Sequence, residues 1–225
     1  MYKRDIVLLL DLGAGMQPVM NALKDYICVM VDTMHLLTPH SDWRIKVCGY
    51  GDSRSDGDSW WQESAFTNDI DKVREYIGSL KLIGGKDGKG TKSLLDALWK
   101  LSITPESETI DDEKWRYRGN KLTTRSVDIF TTSDFYMDTP ISEAGGAKFD
   151  YVVREMESKK LQLIIFCPDA DCYHVLSEID RSEIEFIGTL SDSQEKMSEF
   201  AINTERFVNT MRDIAKSFPR YACMD

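Results

Sequence analysis

The sequence predicts an α/β fold: a doubly wound, mostly parallel six-stranded sheet with helices on both faces. Two observations predict it. Asp5-Ile6-Val7-Leu8-Leu9-Leu10-Asp11-Leu12-Gly13-Ala14-Gly15 sets five consecutive aliphatic residues before a carboxylate and two alternate glycines. A continuous apolar run of that length suits a strand covered on both faces. Downstream, apolar runs of strand length alternate with stretches of helical periodicity, the pattern of a parallel sheet. A chain of 225 residues is long enough for one substantial core and short for two, so 1–225 reads as a single domain.

Each element has its own local reason. Pro18 suits the first turn of a helix, where a missing N–H costs nothing. That helix runs to about Thr38-Pro39 with Val19, Met20, Leu23, Ile27, Met30, Met34 and Leu37 on one face; the methionines read as core packing. Trp43 to Tyr50 alternates as a second strand, a polar Gly/Ser/Asp loop covers 51–59, and Trp60 to Phe66 reads as a short edge strand. Thr67 or Asn68 is expected to cap a helix bearing Ile70, Val73, Ile77 and Leu80. The glycine-rich stretch from Gly84 to Thr91 opens a helix with Leu94, Leu95, Leu98 and Leu101. Val127 to Thr132 is the fourth strand, 149–157 a helix, Leu161 to Phe166 the fifth strand. Tyr173, Leu176 and Ile179 mark a short helix, Ile184 to Ile187 the sixth strand, and one final helix spans about 194–218.

A charged insertion at about 104–125 interrupts this rhythm. Glu106, Glu108, Asp111, Asp112 and Glu113 precede Lys114, Trp115, Arg116, Tyr117 and Arg118. Long structureless loops are uncommon in compact domains unless functional or mobile, and aromatics interleaved with Arg are the residue types of interface hot spots. Trp115, Arg116 and Tyr117 are therefore candidate partner contacts. The alternative is that Trp115 folds back onto the preceding helix.

The bulk numbers exclude several function classes. A net charge of −10 and a pI near 4.9 argue against nucleic acid, which needs a basic footprint, and against an anionic membrane surface. The hydrophobic run after Tyr2-Lys3-Arg4 is too short for a signal peptide or a membrane span. Five cysteines, an odd number scattered through a full-sized domain, read as reduced thiols, so a cytoplasmic location is expected.

Asp11 and Asp134 each follow an apolar strand directly, where open α/β sheets place their ligands. If those strands are neighbours, both carboxylates meet at one crevice, and the Thr91 hydroxyl can reach the same place. Hard oxygens of this kind suit Mg²⁺. Capping or solvated side chains would look the same in the sequence.

Asp11-Leu12-Gly13-Ala14-Gly15, Phe66-Thr67-Asn68-Asp69, Gly84-Gly85 with Thr91 and Asp96-Ala97-Leu98, and Thr132-Ser133-Asp134 resemble, in order and spacing, the motifs of the von Willebrand factor A (VWA) domain family, and in particular its intracellular bacterial type. The resemblance runs from the first strand to the last helix. It implies a Rossmann-like sheet in the order 3-2-1-4-5-6 with the short third strand antiparallel. It also implies a metal-ion-dependent adhesion site at Asp11, Thr91 and Asp134. The family's Asp-x-Ser-x-Ser has lost both serines here, to Gly13 and Gly15, so the site is expected to be degenerate and Mg²⁺ weak or absent. The family acts by binding proteins, and its intracellular bacterial members serve beside ATPases, kinases or phosphatases. The expected function is thus a non-catalytic scaffold or regulatory domain, binding through loops 51–59, 84–90 and 104–125.

The alternative is a Mg²⁺-dependent phosphoryl-transfer or hydrolytic enzyme using Asp11 and Asp134, with Lys86 and Lys89 as phosphate-holding candidates. Other motifs fail on spacing. The 84–91 loop lacks the Gly-Lys pair of a P-loop. Asp11-Leu12-Gly13 resembles an actin-like phosphate loop, but a long helix follows where that fold needs a hairpin. Cys167, Cys172 and His174 offer three ligands where structural zinc wants four.

Overall fold

The computed structural model describes residues 2–83, 90–118, 123–137 and 149–222, with side chains to residue 217. The main sheet contains β1 (Lys3–Asp11), β2 (Asp42–Tyr50), β3 (Trp61–Glu63), β6 (Thr123–Phe130), β7 (Leu161–Asp169) and β8 (Ser182–Thr189). The insertion adds β4 (Glu106–Ser107) and β5 (Trp115–Arg116). Helices are α1 (Gln17–Leu37), α2 (Ile70–Ser79), α3 (Leu94–Ile103), α4 (Phe149–Ser158), α5 (Asp171–Leu176), α6 (Ser193–Ile202) and α7 (Thr204–Ala222). The sheet order is β3-β2-β1-β6-β7-β8, parallel except for β3. This is the expected order, with β1 in the middle and aliphatic on both faces.

Alternation along β1 divides the core in two. Ile6, Leu8 and Leu10 pack with α1, α6 and α7, whereas Val7 and Leu9 pack with α3, α4 and α5. The expected buried face of α1 is buried except at its end, where Leu37 is half-exposed. Other local expectations shift. Asp69, not Thr67 or Asn68, caps α2, because its carboxylate accepts the N–H groups of Asp71 and Lys72. The edge strand shrinks to three residues, since Trp60 closes a 3₁₀ turn. The single final helix is two: Asn203 leaves helical geometry at ψ 91° and its amide oxygen accepts Arg206 N–H, capping α7.

The charged insertion departs furthest. β4 and β5 pair in parallel at the foot of the sheet, where the strands begin. Trp115 has no exposed surface; its indole donates to the Leu101 carbonyl at 2.9 Å and lies 5.3 Å from the Phe66 ring. Trp115 is a core residue rather than a partner contact, because its indole fills the space between α3 and Phe66. Arg116 also turns inward, bonding Asp42 at 2.9 Å and giving its main-chain N–H to Asp5. Of the three candidate contacts Tyr117 remains half-exposed.

Asp5 anchors this foot. Fully buried, it accepts two hydrogen bonds from the guanidinium of Arg44, its register partner on β2, each at 2.8 Å. Arg44 reaches on to the carbonyls of Asp111 and Lys114, and Arg125 to Glu106. A second buried acid is less well served. Asp128 on β6 has no hydrogen-bond partner for either oxygen among the described residues, and burial pushes its pKa up to about 7, with the Glu183 carboxylate adding to the rise.

Two outcomes follow. Trp115→Ala should lower unfolding free energy by ~3–5 kcal/mol, as truncation of a buried aromatic does, measured by urea denaturation. For Asp128 the folded state prefers the protonated acid, so its contribution to stability falls as pH rises from about 4 to about 7. Asp128→Asn should therefore be the more stable protein at pH 8, with its advantage shrinking as pH is lowered towards 4 in parallel unfolding curves.

Candidate functional site

The C-terminal ends of β1 and β6 meet, and Asp11 and Asp134 lie at the same end of the sheet. Their roles differ. Asp11 is fully buried, and its carboxylate is already engaged. One oxygen accepts Gly13 N–H at 2.7 Å; the other accepts the hydroxyls of Ser133 at 2.8 Å and Thr131 at 3.1 Å and the N–H of Thr132 at 3.4 Å. It thus stitches the β1 turn to the end of β6.

Asp134 lies one layer further out. Its carbonyl accepts Lys92 N–H, and Tyr136 N–H returns to the Lys92 carbonyl, so the segment before α3 runs beside the segment after β6. Thr91 and Asp134 thereby share a crevice of about 500 Å³ with Ser133, Ser191, Ser193 and Gln194. The start of α6 closes the crevice, held by a 2.6 Å hydrogen bond from Ser193 to the Thr132 carbonyl. Thr91 does not cap α3; Ser93 holds that position, and its hydroxyl accepts Ser53 N–H. Apart from Leu190, the side chains of the crevice wall are hydroxyls, carboxylates and one amide, with no Lys, Arg or His among the described residues. Lys86 and Lys89 lie outside the described residues.

Thr131, Ser133 and Gln194 are the site residues that sequence reasoning missed. The run Thr131-Thr132-Ser133-Asp134 was a usable signal, since hydroxyls clustered after a strand are natural donors to a neighbouring acid. Beside the crevice, loop 51–59 is pinned rather than loose. Ser53 donates to Asp96 at 2.6 Å, Asp52 accepts Ser55, and the Arg54 guanidinium stacks 3.6 Å over the Tyr136 ring. Among the described residues no group of three His, Cys, Asp or Glu side chains is placed to hold a metal ion. Of the soft-ligand cluster, Cys167 is buried with its thiol pushed well up, and His174 pairs with Asp169 at 2.7 Å.

The chain matches no protein-family model and no curated protein. It does resemble solved structures. One is proximal thread matrix protein 1 of the mussel byssus, at 13% identity and TM-score 0.54 over 91% of this chain and 48% of that one. Another is the pilus adhesin SpaC of Lactobacillus rhamnosus GG, at 12% and 0.55 over 97% and 31%. A third is the SpRpn10 VWA domain, at 15% and 0.51 over 86% and 94%. The fold is VWA-like. The chain spans about half of the byssus protein and about a third of the adhesin.

The residues at the VWA-like metal position do not fit a directly ligated cation. Asp11 presents oxygens already saturated by four donors, and Gly13 and Gly15 supply no side chain. Neither glycine is held at positive φ; Gly13 is extended at φ −64°. The turn therefore does not need glycine for its conformation. A side chain at 15 would instead meet Gln194: a Cβ there would stand 2.7 Å from its Cγ and 2.9 Å from its Cδ, so Gln194 would have to move. The Gln194 side chain occupies the room in which the family's second serine would sit.

Mg²⁺ titrated calorimetrically into the purified protein should give no heat of binding at micromolar metal. Gly13→Ser with Gly15→Ser should not create a site unless Gln194→Ala is added. Asp11→Ala should cost about 3 kcal/mol or more, from buried donors left without an acceptor, equally in Mg²⁺ and in chelator.

Proposed function

We propose that this VWA-like chain is a non-catalytic protein-interaction domain, cytoplasmic, working as a scaffold or regulator beside a partner such as a kinase, phosphatase or ATPase. The observation that carries the reading is the crevice at Asp134. It joins hydroxyls and carboxylates with no Lys, Arg or His among the described residues to hold a phosphate, while Asp11, the other carboxylate an enzyme would need, is engaged in holding the fold. The partner class rests on analogy with VWA domains of the intracellular bacterial type. No described helix is long and apolar enough to cross a membrane.

The packed insertion offers the contact surface. A groove of about 800 Å³ runs along it at the foot of the sheet, floored by Phe66 and flanked by Lys3 and Lys72. On its rim Ile110 is 97% exposed and Tyr117 51%. Large apolar side chains held outward by an ordered segment cost little entropy to dock. Tyr117, rather than Trp115, is the aromatic available to a partner.

Affinity capture from the source cell, with mass spectrometry, tests this reading. Tyr117→Ala with Ile110→Ser should leave the thermal midpoint nearly unchanged and weaken capture of the identified partner by tenfold or more. Turnover of ATP or a phosphate ester by the isolated protein in Mg²⁺, lost in Asp134→Ala, would establish the enzyme instead.

A further inference from the structure

The two edges of the sheet are guarded unequally. β3 is three residues long, too short to template a neighbour, whereas β8 has eight residues, no proline and no lysine. A long edge presents unpaired main-chain groups that can template an added strand, and the glutamates at 183 and 185 select against one of like charge. The Arg181 carbonyl accepts Leu163 N–H, so in this parallel ladder residues 181, 183 and 185 turn their main-chain groups to β7. Ile184 and Phe186 turn theirs away, and those groups have no hydrogen-bond partner among the described residues.

The two sides of this edge differ chemically. Towards α5, Ile184 is half-buried and Phe186 is 38% exposed, its ring 4.8 Å from that of His174. Towards α7, a furrow of about 460 Å³ with a smaller hollow of about 170 Å³ beside it carries Glu183, Glu185, Glu205 and Asp213. The larger furrow is lined by three acids, Glu185, Glu205 and Asp213, against one cation, Arg206; Arg206 pairs with Glu185 and Lys216 with Asp213, and Glu205 keeps the furrow acidic.

We propose that β8 is a docking edge for an extended segment of a partner protein in which basic and apolar residues alternate. Such a segment adds a seventh strand on Ile184 and Phe186. Its Lys or Arg side chains enter the acidic furrow along α7, and its apolar side chains cover Phe186. A second copy of this chain is the poorer occupant, because pairing β8 with itself would bring glutamates together across the new ladder, and like charges facing one another are destabilising. The surface is remote from the groove at the insertion and independent of it.

The test uses a short labelled peptide of alternating lysine and valine, with a glutamate–valine peptide as control, read by fluorescence anisotropy and amide hydrogen exchange. The expected result is saturable binding of the lysine peptide alone, with the Ile184 and Phe186 amides becoming protected. Phe186→Pro removes an outward N–H, a position where an edge strand tolerates proline, and should abolish binding with the fold retained. Glu185→Lys with Glu205→Lys should weaken it at least tenfold should the proline variant not fold, and Tyr117→Ala with Ile110→Ser should leave it unchanged. Equal binding of both peptides, binding without protection of those amides, or no saturable binding would overturn the proposal. So would a concentration-dependent dimer of the protein alone that Phe186→Pro abolishes, which would assign the edge to self-pairing.

Discussion

Strand β1 carries a buried carboxylate near each end, and the need to satisfy both organises the chain around it. A charge without water is costly unless it is paired and hydrogen-bonded. Asp5 is served by the fork of Arg44 from β2 and the main chain of Arg116 from the insertion. Asp11 is served by its own turn and by Thr131, Thr132 and Ser133 beyond β6. These donors come from segments far apart in sequence, so both acids are satisfied only when β1, β2, β6 and the insertion are all in register. Five aliphatic residues between them, Ile6 to Leu10, supply the burial; the carboxylates supply the alignment.

The two ends are consequently unlike. At the foot, opposite charges meet in a packed cluster that draws in Arg44, Arg116 and Arg125 and makes the insertion part of the core. At the top, Asp11 meets neutral donors only, and above it remains a crevice of hydroxyls and acids. In a site where a cation is bound directly, the first acid and the serines after it must point oxygens outward. Here the acid points its oxygens inward to the protein, the serines are absent, and Gln194 covers Gly15. The β1 turn and the segment after β6 are packed against Asp11 and Gln194, while Ile110 and Tyr117 on the insertion and Phe186 on β8 are exposed.

Much of the arrangement was legible beforehand. An aliphatic run ending in an acid placed β1 in the middle of the sheet, and the second acid, Asp134, fell at the same end because parallel strands all finish there. Trp115 was not legible in the same way. Trp and Arg in a charged segment read alike whether they face a partner or a core, and Phe66 and the Leu101 carbonyl, distant in sequence, decide which. The break at Asn203 was hidden because Met197, Phe200, Phe207 and Met211 all belong to one buried cluster and so keep the look of a continuous apolar face across it.

The sequence by itself determined the elements, their order and the end of the sheet at which acids gather, because periodicity, turn residues and strand ends are local properties. It also determined that two serines are missing from the Asp11 turn. Only the tertiary structure decided which charges are engaged, which aromatics are covered and which edge is open. Those outcomes depend on what each side chain meets across the fold, as Gln194 meets Gly15 and Arg44 meets Asp5, and no local pattern carries that information.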